Sequence, residues 1–143
     1  MGRARDRADG DFAGKELIFD ADGDTSITAD TDDQIDIKIA GSDQIKIAAG
    51  EVAFNEASGD IDFRVEGNGD ANALFVEGES DNVGIGNNDP LVKLDVIGSN
   101  SPAATSGTSQ NGSLRLGQSS GNGVVDMGFD TTNTIGWIQA TNK

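Results

Sequence analysis

The sequence predicts an all-β protein of short strands and hairpins with almost no helix, in which three copies around one axis would close a narrow prism. Three observations support this prediction. Apolar residues alternate with polar ones along most of the chain, the alternating runs end in turn-forming glycines, and glycine makes up 20 of the 143 residues. A short strand followed by a turn buries its apolar side only by stacking on neighbouring strands or on other chains.

The alternation is clearest where Ile35, Ile37 and Ile39 flank Asp36 and Lys38. This period of two is typical of a strand with one buried face, and β-branched residues suit a pleated surface. The residues that we expect to face the axis of the trimer are Ile35, Ile37, Ile39, Ile61, Phe63, Val65, Val83, Ile85, Leu94 and Val96.

Turn signals separate these strands. Gly41, Gly50 and Gly67 each follow an alternating run, and residues 17–29 form a predicted hairpin around a two-residue type I′ turn at Asp22-Gly23. The glycines of Val-Gly-Ile-Gly at residues 83–86 predict a close backbone approach, as at a crowded trimer axis, rather than a nucleotide-binding loop.

Charge divides the chain into three predicted segments. The whole chain has 10 basic and 25 acidic residues, a net charge of −15, and residues 8–96 alone carry −17. We therefore expect a basic N-terminal attachment arm over residues 1–14, a repetitive acidic shaft over 15–98, and a linker with a neutral C-terminal β tip over 99–143. The arm carries Arg3, Arg5 and Arg7.

The composition argues against several classes of function. The chain has no cysteine and no histidine, which excludes disulfides, thiolate nucleophiles and imidazole catalysis or metal binding. A net charge of −15 disfavours nucleic acid, which requires a basic surface. The sequence contains no run of about 18 apolar residues, so it predicts no membrane-spanning segment. We expect a protein that is not an enzyme and has no cofactor.

Three phrases resemble the fibre and virion structural proteins of tailed phages. They are Lys-Glu-Leu-Ile-Phe-Asp-Ala-Asp-Gly at the start of residues 15–41, Asn-Val-Gly-Ile-Gly followed by Lys-Leu-Asp-Val within residues 82–98, and the stretch from Ser-Leu-Arg-Leu-Gly to Gly-Trp-Ile-Gln within residues 113–142. The resemblance covers most of the chain and implies an elongated, intertwined homotrimeric fibre with a β-prism or triple-β shaft, located on the virion. Members of this family often continue into a self-cleaving chaperone, whereas this sequence stops at Lys143.

The same resemblance implies a direction of use. The N-terminal arm would dock to other virion proteins, and the C-terminal end would meet a host cell-surface glycan or protein. A capsid-surface fibre or decoration protein, with the arm inserted in a capsid seam, is the alternative that the resemblance leaves open.

The C-terminal segment holds the only tryptophan. The predicted core of the tip includes Trp137 and Phe129, either as core residues or as a receptor contact. Its other members are Leu114, Leu116, Val125, Met127 and Ile135.

Asp20, Asp22 and Asp24 alternate around a glycine and form a candidate calcium site. Their spacing does not match an EF-hand, and a plain acidic hairpin turn is the more ordinary explanation. A calcium-binding bacterial surface adhesin is therefore a further hypothesis. A polysaccharide-cleaving enzyme using pairs such as Asp60 and Asp62 is another, although acids on alternating positions are usually solvated.

Overall fold

The computed structural model describes residues 15–104 and 111–142. The chain divides into two compact units, Met1–Phe63 and Arg64–Lys143, which are described separately. All regular structure in the described ranges is β-strand, which confirms the predicted all-β class. Within these ranges there is no helix with the length and apolar character needed to cross a membrane.

The first unit contains one antiparallel sheet of five strands, arranged in the order of the chain. Each strand pairs with the next, so the sheet is a continuous series of hairpins. This confirms the predicted strands of the region and the predicted hairpin over residues 17–29. The strands are β1 (Leu17–Ile18), β2 (Ser26–Thr28), β3 (Gln34–Ile39), β4 (Ser42–Ala48) and β5 (Glu51–Phe54).

Two connections in this sheet differ in their turn chemistry. Ala40 and Gly41 both have positive φ angles, 49° and 75°, and join β3 to β4 as a two-residue type I′ turn. At Asp22-Gly23 only the glycine has a positive φ, so the predicted type I′ turn there is wrong. A longer loop takes its place, because the carboxylate of Asp20 accepts hydrogen bonds from the backbone N–H groups of Gly23 and Thr25.

The second unit contains a four-stranded and a three-stranded sheet. In the first of these β7 pairs antiparallel with β8, and β8 pairs parallel with β9. The strands of the four-stranded sheet are β6 (Phe63–Val65), β7 (Leu74–Val76), β8 (Val83–Ile85) and β9 (Leu94–Val96), with the unit boundary inside β6. The antiparallel three-stranded sheet consists of β10 (Leu114–Gly117), β11 (Gly123–Asp130) and β12 (Ile135–Asn142).

An irregular segment lies against the three-stranded sheet. The indole N–H of Trp137 donates to the carbonyl of Ser101 (3.0 Å), and the side-chain amide of Gln139 donates to the carbonyl of Ala104 (2.7 Å). Asn100 also forms an isolated β-bridge with Phe129. Residues 99–104, the described start of the predicted linker, are therefore attached to the sheet.

Few apolar side chains are buried. In the part of the chain that the structure describes, the buried hydrophobic residues are Phe75, Ala104 and Val124. The buried polar residues are more numerous: Ser26, Thr28, Asp36, Asp126 and Asp130. Most apolar residues of the alternating strands are therefore exposed or only partly buried, and the register of the sheets shows which of them share a face.

Candidate assembly surfaces

The strand register of the first unit aligns five apolar residues in one row. Leu17 pairs with Ile27, which pairs with Ile37, and the row continues through Ile45 to Phe54. Residues that are paired across an antiparallel sheet share a face, so one side chain from each of the five strands lies on the same side. The row crosses the whole sheet without a charged or polar interruption.

Four further apolar residues complete this face. Ile35, Ile47 and Val52 form a second cross-strand row, and Ile39 lies two residues beyond Ile37 on the same strand. We refer to the nine residues of both rows with Ile39 as the five-strand apolar face. Val52 is 57% exposed in the single chain, so this face lacks the cover that an antiparallel sheet normally gives its apolar side.

The opposite face of this sheet is polar and well bonded. Ser26 is 1% exposed and donates to the carboxylate of Glu16, which lies 3.6 Å from the ammonium group of Lys38. The side-chain amide of Gln34 donates to both carboxylate oxygens of Asp36, at 3.0 and 2.8 Å. Side-chain hydrogen bonds therefore hold most of the polar face together, although the buried Oδ1 of Asp43 on this face has no partner among the described residues. The apolar face has no such bonds and no cover in the single chain.

Ion pairs strengthen the polar face at its other edge. The ammonium group of Lys46 lies 2.6 Å from a carboxylate oxygen of Glu56 and 3.6 Å from one of Glu51. The hydrogen bond with Glu56 is the main reason that the pKa of Lys46 is raised. Similarly, the hydroxyl of Ser26 lowers the pKa of Glu16.

The four-stranded sheet repeats this separation of faces. Val76, Val83 and Leu94 align across three strands, with Ile85 and Val96 in the adjacent pair. Leu94 is 60% exposed. The other side carries Phe75, Gly84 and Asp95 in register, and Phe75 is buried.

The predicted trimer-core residues therefore fall into separate groups. Ile35, Ile37 and Ile39 share the five-strand apolar face, and Val83, Ile85, Leu94 and Val96 share a face in the second unit. The aromatic ring of Phe63 lies 4.9 Å from that of Phe54, centroid to centroid, at the edge of the five-strand apolar face. Ile61 and Val65 are each 42% exposed. That these residues face an axis between copies stays a prediction.

Sequence reasoning missed six residues of the five-strand apolar face. They follow the same alternating pattern as the predicted core, but only the register shows that they lie beside Ile37. The six are Leu17, Ile27, Ile45, Ile47, Val52 and Phe54.

The predicted tip residues are divided between the two faces of the three-stranded sheet. Leu114, Leu116, Val125, Met127 and Phe129 share one face and are exposed. Trp137 pairs with Gly128 and Ile135 pairs with Asp130, which places both on the other face. Trp137 and Phe129 therefore belong to opposite faces of the sheet.

A bidentate ion pair lies on the same face of the three-stranded sheet as Trp137. The guanidinium group of Arg115 donates to both carboxylate oxygens of Asp126, each at 2.6 Å. The side chain of Asp126 is only 6% exposed. The hydrogen bond from Arg115 lowers the pKa of Asp126, because it stabilises the charged carboxylate.

Replacing Arg115 with Met is expected to lower the Tm at pH 7 by on the order of 10 °C, since it leaves the carboxylate of Asp126 without its partner. Arg64→Met is the matched control, because Arg64 pairs with Glu66 and both side chains are at least half exposed. We expect the control to change the Tm by about 2 °C or less. Equal decreases in the Tm of the two variants, measured by differential scanning calorimetry, would show that the Arg115–Asp126 pair contributes no more to stability than the exposed Arg64–Glu66 pair.

The same pair predicts a dependence on pH. The folded-state pKa of Asp126 lies below its ordinary value of 3.8, so its stabilisation is present above that value and is lost as the pH falls through the folded-state pKa. The Tm of the wild-type chain should therefore fall more steeply below about pH 4 than that of Arg115→Met. Parallel pH profiles of the two proteins would contradict this.

The candidate calcium residues converge in space. One carboxylate oxygen from each of Asp20, Asp22 and Asp24 lies within 4.8 Å of the others, and all three residues are exposed. Asp20 already closes the loop by accepting from the backbone N–H groups of Gly23 and Thr25. The pKa of Asp20 is lowered mainly by the side-chain hydrogen bond with Thr25, and these backbone hydrogen bonds lower it further. Ion binding at this loop stays a prediction.

The attachment arm residues Arg3, Arg5 and Arg7 lie outside the described residues.

Comparisons of the chain with protein-family models, with curated proteins and with solved structures find no match. The functional reading therefore depends on the chemistry of the surfaces described above.

Proposed function

We propose that this chain is a structural subunit of a tailed-phage virion, a homotrimeric tail fibre that docks to the particle by its N-terminal end and presents its C-terminal end for host attachment. The observation that carries the proposal is the five-strand apolar face, which is uncharged and uncovered in the single chain. The phage-fibre phrases of the sequence support the rest.

The size of this face supports assembly. Covering a half-exposed isoleucine, valine or phenylalanine contributes on the order of 1 kcal/mol, so the nine residues together provide roughly 9 kcal/mol per copy as an upper figure. Association itself costs about 4–15 kcal/mol. A stable assembly therefore requires that nearly the whole face is covered, as it is when several copies enclose a common axis.

Closure around an axis also explains the placement of charge. The shaft segment accounts for the whole net charge of −15, and the five-strand apolar face carries none of it. In a closed trimer the polar faces, with Lys38, Lys46 and their acidic partners, point to water. Such a particle is acidic outside and apolar inside, which keeps it soluble and separate from other particles.

Assembly should strengthen with ionic strength. Bringing copies of net charge −15 together creates repulsion, and salt screens it, because the Debye length falls from about 30 Å at 0.01 M to about 10 Å at 0.1 M. We expect the midpoint concentration of assembly to fall at least about tenfold between these two salt concentrations, as measured by sedimentation equilibrium. A midpoint that rises with salt would indicate that ion pairs, rather than apolar contacts, hold the copies together.

The decisive test of the proposal has two steps. Light scattering or native mass measurement of the full chain should give three copies, and a folded monomer at all concentrations would overturn the assembly. A map of the intact particle should then show the N-terminal end at the tail and the C-terminal end outward. Density at a capsid seam instead would overturn the tail location while leaving the trimer intact.

A further inference from the structure

The three-stranded sheet of the second unit has an exposed apolar face of its own. Leu114, Met127 and Ile138 align across β10, β11 and β12, and Ile138 is 70% exposed. Leu116 and Val125 form the adjacent pair, and Phe129, 60% exposed, continues β11 on the same side. We refer to these six residues as the tip face. It contains no charged side chain.

The orientation of this sheet is fixed by its other side. There the chain itself supplies the cover, through the hydrogen bonds of Trp137 to Ser101 and of Gln139 to Ala104. Val124, on that side, is 4% exposed. Because one side is already packed and holds the Arg115–Asp126 pair, the sheet cannot turn the tip face inward without losing these contacts.

A groove runs along the tip face. It has a volume of about 390 Å³ and is lined mainly by apolar residues. They include Leu114, Met127, Phe129 and Ile138 of the tip face, together with Val96 and Trp137. A concave apolar surface of this kind receives side chains of a partner rather than a charged ligand.

We propose that the tip face is a second self-association surface, and that its occupant is the tip face of another copy of this chain. The proposal deepens the assembly proposed above and rests on it, because it names a further contact within the same homomeric particle. The first argument is charge. Residues 97–143 carry two basic and two acidic residues, so copies meet here without the repulsion that the acidic segment creates.

The second argument is area. The six side chains of the tip face are between 36% and 70% exposed. A large apolar side chain has on the order of 200 Å² of surface, so the face offers roughly 600 Å², close to the roughly 800 Å² per partner of a standard interface. A single small molecule or sugar would leave most of this apolar surface in water.

The absence of native cysteine allows a direct test on the full chain. In an Ile138→Cys variant the thiol marks the tip face, and in the matched control Ser120→Cys it marks the exposed turn between β10 and β11. At a concentration where the chain is assembled, a maleimide reagent should modify Cys at position 138 at least tenfold more slowly than Cys at position 120. Dilution to the single chain should remove the difference.

Each outcome of this experiment is decisive when the mass is measured in parallel. Three copies with equal modification rates at both positions would overturn the tip interface and leave the proposed fibre subunit standing. Slow modification at position 138 in a particle of some other copy number would support the tip interface and overturn the trimer. A monomer at all concentrations, or protection that persists in the monomer, would overturn the tip interface as well.

Combining Ile138→Cys with Ile37→Asp separates the two surfaces. Ile37 belongs to the five-strand apolar face in the first unit, and Ile138 belongs to the tip face in the second unit. If the tip face has an affinity of its own, the double variant keeps part of the protection at high concentration, at least threefold over the Ser120→Cys control in the same background. Complete loss of protection would show that the tip face does not associate by itself.

Discussion

An Ile37→Asp variant is expected to remain monomeric at concentrations where the wild-type chain is fully assembled. Ile37 lies at the centre of the row that runs from Leu17 to Phe54 across all five strands. In a closed trimer the substitution places three carboxylates in an apolar interior, and an uncompensated buried charge costs about 3–5 kcal/mol. The assembly equilibrium should therefore shift by at least about 100-fold.

The measurement is sedimentation equilibrium, with circular dichroism to confirm that the strands remain. Ala49→Asp is the matched control, since it adds the same charge in the exposed turn between β4 and β5. Ile47→Asp is a second test of the same face at a position that is 43% exposed in the single chain, so the added carboxylate keeps contact with water in the monomer. Assembly of Ile37→Asp and Ile47→Asp at wild-type concentrations would show that the five-strand apolar face is not buried between copies.

The alternation of apolar and polar residues was enough to predict the strands and their apolar faces. Ile35, Ile37 and Ile39 share a face, as their spacing requires, and the same holds for Val83 with Ile85. Local pattern determines which side of its own strand a residue occupies, because the side-chain period of a strand is two. It does not determine which residues of different strands lie side by side.

Trp137 and Phe129 show why the sequence pattern alone does not indicate how residues pair between strands. The connection between β11 and β12 pairs Asp130 with Ile135, so Phe129 faces Gly136 and Gly128 faces Trp137. A loop with one residue more or fewer would reverse the side on which every residue of β12 lies. The register between β11 and β12 is set by the folded hairpin, and the composition of the two strands does not indicate it.

The turn at Asp22-Gly23 was mispredicted for a related reason. Asp-Gly favours a type I′ turn, but here the side chain of Asp20 competes by accepting two backbone N–H groups of the loop. Ala40-Gly41 has a weaker signal in the sequence and forms the type I′ turn, because Ile39 and Ser42 pair directly on either side of it. Side-chain hydrogen bonds and flanking pairs therefore decided both turns.

The close backbone approach predicted at Val-Gly-Ile-Gly is present, but it occurs within one chain. A Cβ atom at Gly84 would lie 2.0 Å from the carbonyl oxygen and 3.0 Å from the carbonyl carbon of Asn87. Both atoms belong to the backbone, so no side-chain rotation relieves the overlap. Gly84 also pairs with the buried Phe75, and its strand β8 lies between β7 and β9 in the sheet.

Gly84→Ala is therefore expected to destabilise the second unit by about 3 kcal/mol, at the upper end for overpacked interiors. Gly69→Ala is the matched control, because a Cβ atom there meets nothing within 4 Å and should change the free energy of unfolding by about 0.5 kcal/mol or less. Urea unfolding of the two variants, measured under conditions where the chain is monomeric, gives both values. Comparable stability of the two variants would mean that the turn after β8 moves away from Gly84 at little cost.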